Sequence, residues 1–304
     1  MGRPSKLPWR EVLIIGGTGK MGQWFSRFFR EQGFNVTITS RKPSRALRVA
    51  RKLKVKLTRL SREALASSDL VLLSIPPSET AEIIEDIASK MRKNTVLIEI
   101  SSVKTNLASL LEEIAVKFGI KVVSLHPMFG PSAKSIHGYS IIVVPVKGCE
   151  KAAKKVAKFF REAGAKVVFA KNFAEHEEMT ALTLALPHFI NLLFGLTLSL
   201  TAYPIRKISD YGGTTFILQK ILCESVISED PKLYGEIQIA NRRFKEAVLK
   251  LSQAFSKLKQ TVEENDLEEF TRIFGELQKY FSGDPKFGRA YELFYEALEA
   301  VKQP

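Results

Sequence analysis

The chain has 304 residues, 45% hydrophobic and 26% charged, with 18 glycines and 13 prolines spread along it; that is length enough for two domains and excludes a disordered polypeptide. Lysine and arginine number 46 against 32 acidic residues, a net charge of +14, which suits nucleic acid, an anionic membrane surface or small anionic ligands. The basic residues are scattered, as with Lys151, Lys154, Lys155 and Lys158, and lack interleaved stacking aromatics or zinc-finger spacing, so no nucleic-acid partner is expected.

The opening stretch MGRPSKLPWREVLIIGG has an apolar run too short for a signal-peptide core, which points to the cytoplasm. From there β-branched runs alternate with amphipathic stretches. Strands are expected at Val12–Ile15, Val36–Ser40, Leu70–Ile75, Val96–Ile100, Lys121–Leu125, Ile141–Val144 and Val167–Ala170. Helices are expected at Met21–Gln32, Ser44–Leu53, Thr80–Met91, Asn106–Phe118 and Glu150–Ala163, where apolar residues recur at three and four. This alternation predicts an α/β fold, a Rossmann-type doubly wound and mostly parallel sheet.

After about Lys171 only helical periodicity continues, with breaks at Asp210-Tyr-Gly-Gly, Glu229-Asp-Pro, Asn265-Asp and Ser282-Gly-Asp-Pro. The expected organisation is a nucleotide-binding domain over residues 1–171 and an all-helical domain over 172–304 for substrate binding and dimerisation. Met179–Ile205 carries no charged residue and is long enough to span a bilayer. Its threonines, Ser199, Asn191 and His188 favour a buried core helix instead, with no membrane partner. A helix this apolar is hard to bury within one such domain, and a homodimer through it is expected. Cys149 and Cys223 stand 74 positions apart with no ligand-spaced neighbours, so neither a metal site nor a disulfide framework is expected.

Gly17, Gly19 and Gly22 have GxGxxG spacing between the first strand and the first helix. In that context the glycines allow a tight turn, backbone approach to a pyrophosphate and close helix–strand packing, while the helix N-terminus faces the anion. Thr18, Lys20 and Met21 belong to the same loop. An NAD site usually has a carboxylate at the end of the second strand; here stand Ser40, Arg41 and Lys42, which suit the 2′-phosphate of NADP. Ser74 and Pro76, after the strand that begins at Leu70, complete the expected cofactor-binding set.

Two more segments follow strands where ligands bind in such sheets: Ser101-Ser102-Val103-Lys104 and His126-Pro127-Met128-Phe129-Gly130-Pro131. His126 has the ordinary pKa range of a base that could take a hydroxyl proton as hydride departs. Ser102 and Lys104 could hold substrate oxygens, or cap the helix beginning near Thr105 and face solvent.

Together, GGTGKMG, SSVK and SLHPMFGP, with LPHF around His188 and DPKLYGEIQIANRRF from Asp230, make the sequence resemble the prephenate dehydrogenases across most of its length. The resemblance implies oxidative decarboxylation of prephenate to 4-hydroxyphenylpyruvate in tyrosine biosynthesis. It also implies that His126 accepts the ring-hydroxyl proton, that Ser102 hydrogen-bonds beside it, and that Lys104 and His188 belong to substrate binding. Many family members carry an arginine in the helix before the DPxLY-like segment, whereas Cys223-Glu224-Ser225-Val226 has none. Arg243 is the first candidate to replace it, ahead of Arg242 and Arg206. Arogenate is the alternative substrate, and a non-catalytic NADP-binding regulatory protein of the same fold is the alternative of a different class. The chain reads as monofunctional.

Overall fold

The computed structural model describes residues 9–302. The first eight residues of the N-terminal stretch read for targeting, and Gln303 and Pro304, lie outside the described residues. Two compact units make up the chain. The first runs to Thr180 and takes in Gly235–Asn241; the second comprises Ala181–Tyr234 and the chain from Arg242 onward.

Among the described residues the first unit holds eight strands: β1 (Glu11–Ile15), β2 (Asn35–Thr39), β3 (Lys56–Leu57), β4 (Leu70–Leu73), β5 (Val96–Glu99), β6 (Lys121–Pro127), β7 (Ser140–Val144) and β8 (Lys166–Phe169). They form one sheet in the order β3-β2-β1-β4-β5-β6-β7-β8. All neighbours pair in parallel except β6 and β7. The order reverses between β1 and β4, the switch point at which doubly wound sheets bind ligands beyond their carboxyl ends.

Helices α1 (Lys20–Glu31), α2 (Pro43–Leu53), α3 (Arg62–Ala66), α4 (Pro77–Ala88), α5 (Leu107–Phe118) and α6 (Glu150–Glu162) connect these strands. Alternate strand residues face opposite layers, which is why the central strands are apolar throughout. On one face Val12, Ile14, Leu70 and Leu72 pack with Phe25, Phe28, Phe29, Phe159 and Phe160 of α1 and α6. On the other, Leu13, Val71 and Leu97 pack with Ile84 of α4 and Leu111 and Ile114 of α5. Strand β3 and helix α3 are additions to the elements expected from the sequence. The exposed lysines of α6 (Lys151, Lys154, Lys155, Lys158) lie on its solvated side.

Helix α7 (Phe173–Thr180) closes the first stretch of the first unit. The second unit begins with a π-helical turn, Ala181–Ala185, and continues through α8 (Leu186–Ser199), α9 (Ile205–Asp210), α10 (Thr214–Ile227), α11 (Pro231–Ala240, whose later residues belong to the first unit), α12 (Phe244–Glu263), α13 (Leu267–Phe281) and α14 (Ala290–Lys302). Helices α8 and α10 pack closely: a Cβ on Gly195 would come 2.8 Å from the Cys223 sulfur, and the Gln219 amide donates to Asn191 Oδ1 at 2.7 Å.

The expectation of a buried charge-free helix is corrected. Phe173–Ser199 is one helical stretch long and apolar enough to cross a membrane by length and composition. Its apolar residues are largely uncovered by the rest of the chain, Leu196 being 59% exposed and Leu200, just beyond, 81%. A single chain of this size supplies too few helices to surround it.

Candidate active site

The glycine loop joins β1 to α1. Gly16 has φ +80° and lies so close to β4 that a Cβ there would stand 2.1 Å from the Ser74 carbonyl oxygen. A Cβ on Gly22 would come 2.3 Å from the Gly16 oxygen, so this glycine lets α1 start against the turn. Gly19 occupies the cap position of α1, and no side chain caps that helix, leaving its first turn available to an anion. Thr18 and Ser40 hydroxyls are 2.9 Å apart, tying the loop to the end of β2. Arg45, which sequence reasoning missed, donates to the Thr18 carbonyl at 3.1 Å, as does the Gln23 amide at 3.0 Å.

The remaining cofactor candidates gather at the same edge. Gly17 is buried beside Ile38, and Met21 packs on the core. Lys20, Arg41 and Lys42 are exposed. Arg41 pairs with Glu79 of α4 at 3.0 Å, and the Lys42 N–H donates to Ser40 Oγ at 3.3 Å. The Ser74 N–H donates to the Ile15 carbonyl at 2.9 Å, and the Pro76 carbonyl caps the first turn of α4 by accepting from Glu79 and Thr80. These residues, with the uncapped helix and the tight glycine turn, fit a dinucleotide.

Next along the sheet, β5 ends in Glu99, fully buried and in register with Ser124 of β6. The Ser124 hydroxyl donates to Glu99 Oε1, and the Ser101 N–H donates to Oε2 at 2.9 Å. Lys104 folds back so that its ammonium donates to Glu99 at 2.5 Å and to the Leu125 carbonyl at 2.6 Å. The lysine is therefore turned inward and 1% exposed, and its helix α5 starts at Leu107. Burial pushes its pKa down, opposed by Glu99. Ser102 is half-buried beside it.

His126 lies in β6 itself, opposite Ile142 of β7, and is 2% exposed. The segment after it is held to α1: Trp24 donates to the Ala133 carbonyl at 2.7 Å, and the Phe129 ring stands 4.7 Å from that of Trp24. Desolvation, then the neighbouring His176 and the Lys104 charge, hold the His126 pKa well below the usual imidazole value, so the ring is neutral at neutral pH. Its Nδ1 is 3.0 Å from Nε2 of His176 on α7, a residue not anticipated from the sequence.

Glu177 follows His176. Its carboxylate accepts from the Lys104 N–H at 2.7 Å, and the Thr105 hydroxyl lies 2.7 Å from it and 2.9 Å from the Ala240 carbonyl. Burial alone would raise the Glu177 pKa, but the hydrogen bonds and the neighbouring histidine outweigh it and hold the carboxyl below its ordinary value. The Asn241 amide donates to the Glu177 carbonyl oxygen at 2.9 Å.

In the second unit, the His188 ring of α8 lies 4.7 Å from the Tyr234 ring, tilted by 39°, with its Nδ1 buried. Arg243, at the start of α12, is paired with Glu246 at 3.0 Å. Among the described residues no cluster of three or more His, Cys, Asp or Glu side chains could hold a metal ion.

Residues 25–169 match the family model for the prephenate dehydrogenase nucleotide-binding domain, and residues 172–276 match that for the prephenate dehydrogenase dimerization domain. A probable arogenate/prephenate dehydrogenase of Methanocaldococcus jannaschii is 30% identical over 92% of this chain, which spans 63% of that protein's length. A 4-amino-4-deoxyprephenate dehydrogenase of Streptomyces pristinaespiralis is 30% identical over 88% of this chain and 89% of its own. The crystal structure of A. aeolicus prephenate dehydrogenase with hydroxyphenyl propionate and NAD+ superposes with a TM-score of 0.75 at 22% identity, covering 92% of this chain and all of that one. With two consecutive family domains and a relative matched over nearly its whole length, the chain belongs to the prephenate dehydrogenase family.

Proposed function

We propose that the chain is an NADP-dependent dehydrogenase that oxidatively decarboxylates prephenate to 4-hydroxyphenylpyruvate, in tyrosine biosynthesis, in the cytoplasm. The observation that carries this reading is the placement of His126, 2% exposed, two residues beyond the Glu99–Ser124 pair at the carboxyl ends of β5 and β6, with its Nδ1 3.0 Å from His176 Nε2. The family membership supports the reaction class.

Gly17, Thr18, Gly19, Lys20, Met21 and Gly22 would hold the pyrophosphate, Ser40, Arg41 and Lys42 the 2′-phosphate, and Ser74 and Pro76 the neighbouring edge. When bound there, the oxidised nicotinamide supplies the hydride acceptor. His126 takes the ring-hydroxyl proton at Nε2 as hydride leaves the carbon that bears the hydroxyl. The carbon–carbon bond to the ring carboxylate then breaks, carbon dioxide departs, and its electron pair completes the aromatic ring. Ser102 would hydrogen-bond beside the hydroxyl, and His188 and Arg243 are assigned to substrate binding; Lys104, expected from the sequence to hold substrate, is corrected to a buried partner of Glu99 that braces the ends of β5 and β6.

Incubating the purified protein with prephenate and, separately, arogenate, each with NADP and with NAD, tests this by the absorbance of reduced cofactor. Prephenate turnover preferring NADP is expected; turnover of arogenate alone would replace the substrate, and silence with all four pairs despite NADP binding would overturn the reading. The exposed apolar residues of α8, with the family's dimerization domain, support a homodimer. Light scattering should give about twice 34.1 kDa.

A further inference from the structure

A histidine serves as a base only if the proton it already holds is on the other nitrogen. His126 Nδ1 and His176 Nε2 are 3.0 Å apart in a buried environment, so one of them donates to the other, and two neutral arrangements satisfy that geometry. In the first, His126 carries its proton on Nδ1 and His176 carries its own on Nδ1. In the second, both protons are on Nε2, and His126 has no lone pair left at Nε2 to accept another.

The surroundings of His176 discriminate between them. Its Nδ1 is buried and beyond hydrogen-bond distance of any partner, and 3.8 Å away is Glu177 Oε1. A protonated Nδ1 there faces a carboxylate, which is attractive; a bare lone pair there faces the same carboxylate, which is repulsive. Glu177 is not free to supply a proton itself, because the Lys104 N–H and the Thr105 hydroxyl are directed at its oxygens and stabilise the ionised form. The other charged groups facing the pair are Lys104 and Glu99, which neutralise one another at 2.5 Å.

We infer that Glu177 fixes the proton of His176 on Nδ1, and that His176 in turn fixes the proton of His126 on Nδ1, leaving Nε2 of His126 as the basic atom. His176 and Glu177 are thus positioning residues for His126. When Nε2 gains a proton, the His126 Nδ1–H keeps its acceptor on His176, and the Glu177 charge offsets the new imidazolium. This inference rests on the proposed role of His126 for its catalytic meaning, while the tautomer is a property of the chain itself.

The test is nitrogen-15 NMR of the histidine-labelled full chain, in which four histidines must be assigned. His126 in the unaltered protein at pH 7.5 is expected to show the Nδ1–H pattern, and an Nε2–H pattern would overturn the inference with no variant needed. His176→Gln, whose amide oxygen can replace Nε2 as acceptor, should retain the Nδ1–H pattern and most of the turnover. His176→Phe should mix the tautomers and lower kcat about 10²-fold with KM for NADP unchanged. Equal losses in the two variants with no change of tautomer would mean a merely structural role and would overturn it. If His126 has the expected tautomer yet His126→Asn turns over prephenate at the unaltered rate, the proposed base fails and the tautomer assignment stands.

Discussion

The Arg41 guanidinium lies 3.0 Å from the Glu79 carboxylate, so the cation proposed to meet the 2′-phosphate is already held by an acid on α4. Arg41→Ala should reduce the preference for NADP over NAD about 10- to 100-fold, the worth of a charge-assisted phosphate contact. Glu79→Gln should raise that preference by removing the competing anion. The ratio of kcat/KM for the two cofactors measures both, and an unchanged ratio in Arg41→Ala would remove this residue from cofactor discrimination.

Lys104 and Glu99 are both fully buried. Removing one partner leaves an unpaired charge in the core, so Lys104→Met should destabilise the fold by about 3–5 kcal/mol in urea unfolding. The double variant Glu99→Gln/Lys104→Met should recover most of this, since Ser101 and Ser124 can still donate to the amide oxygen. A raised KM for prephenate with unchanged stability would instead favour direct substrate binding by Lys104.

Asp69, just before β4, accepts from the N–H groups of Arg10 at 2.8 Å and Glu11 at 3.1 Å and from the Arg92 guanidinium at 2.8 Å. Burial raises its pKa, but these donors prevail and hold it below the ordinary value. Asp69→Ala should cost about 1–2 kcal/mol after solvent screening, seen as a lower Tm.

Acid should weaken the fold in two windows. His126 and His176 both have lowered pKa values, so below about 6.5 the unfolded chain binds protons that the folded chain refuses. Stability then falls with pH by at most about 1.4 kcal/mol per pH unit for each histidine. Glu177 contributes stability above the unfolded carboxylate pKa, about 4.3, which is lost as pH falls through its lower folded value. Thermal unfolding between pH 7.5 and 5 should show the first window, and His176→Gln should flatten it.

The central sheet was legible because buried parallel strands are apolar on both faces, as Val12–Ile15 and Leu70–Leu73 are. Strand β3 was not, since Lys56 and Leu57 are both exposed and two residues make no period. The antiparallel β7 has the same apolar run as its parallel neighbours, so direction was hidden. At the site, His126 and the glycine loop were visible as motifs next to strands. His176 was not singled out because its contact with His126 spans 50 positions. Glu99 did leave a trace, a carboxylate inside the otherwise apolar run Val96–Ile100, which signals a buried partner such as Lys104.

Gly235–Asn241 belongs to the first unit although it follows the opening helices of the second. On the ribosome, Thr180 is therefore made while the Asn241 side chain that reaches it is still 61 residues away, and the Glu236 carboxylate that receives the Ser78 hydroxyl trails it by 158. At ~5–20 residues per second the first unit stays incomplete for several seconds after α7 is synthesised. During that interval the apolar helix α8 has emerged ahead of the residues that finish the nucleotide-binding unit, so nascent chains should need holding by chaperones until the late segment arrives.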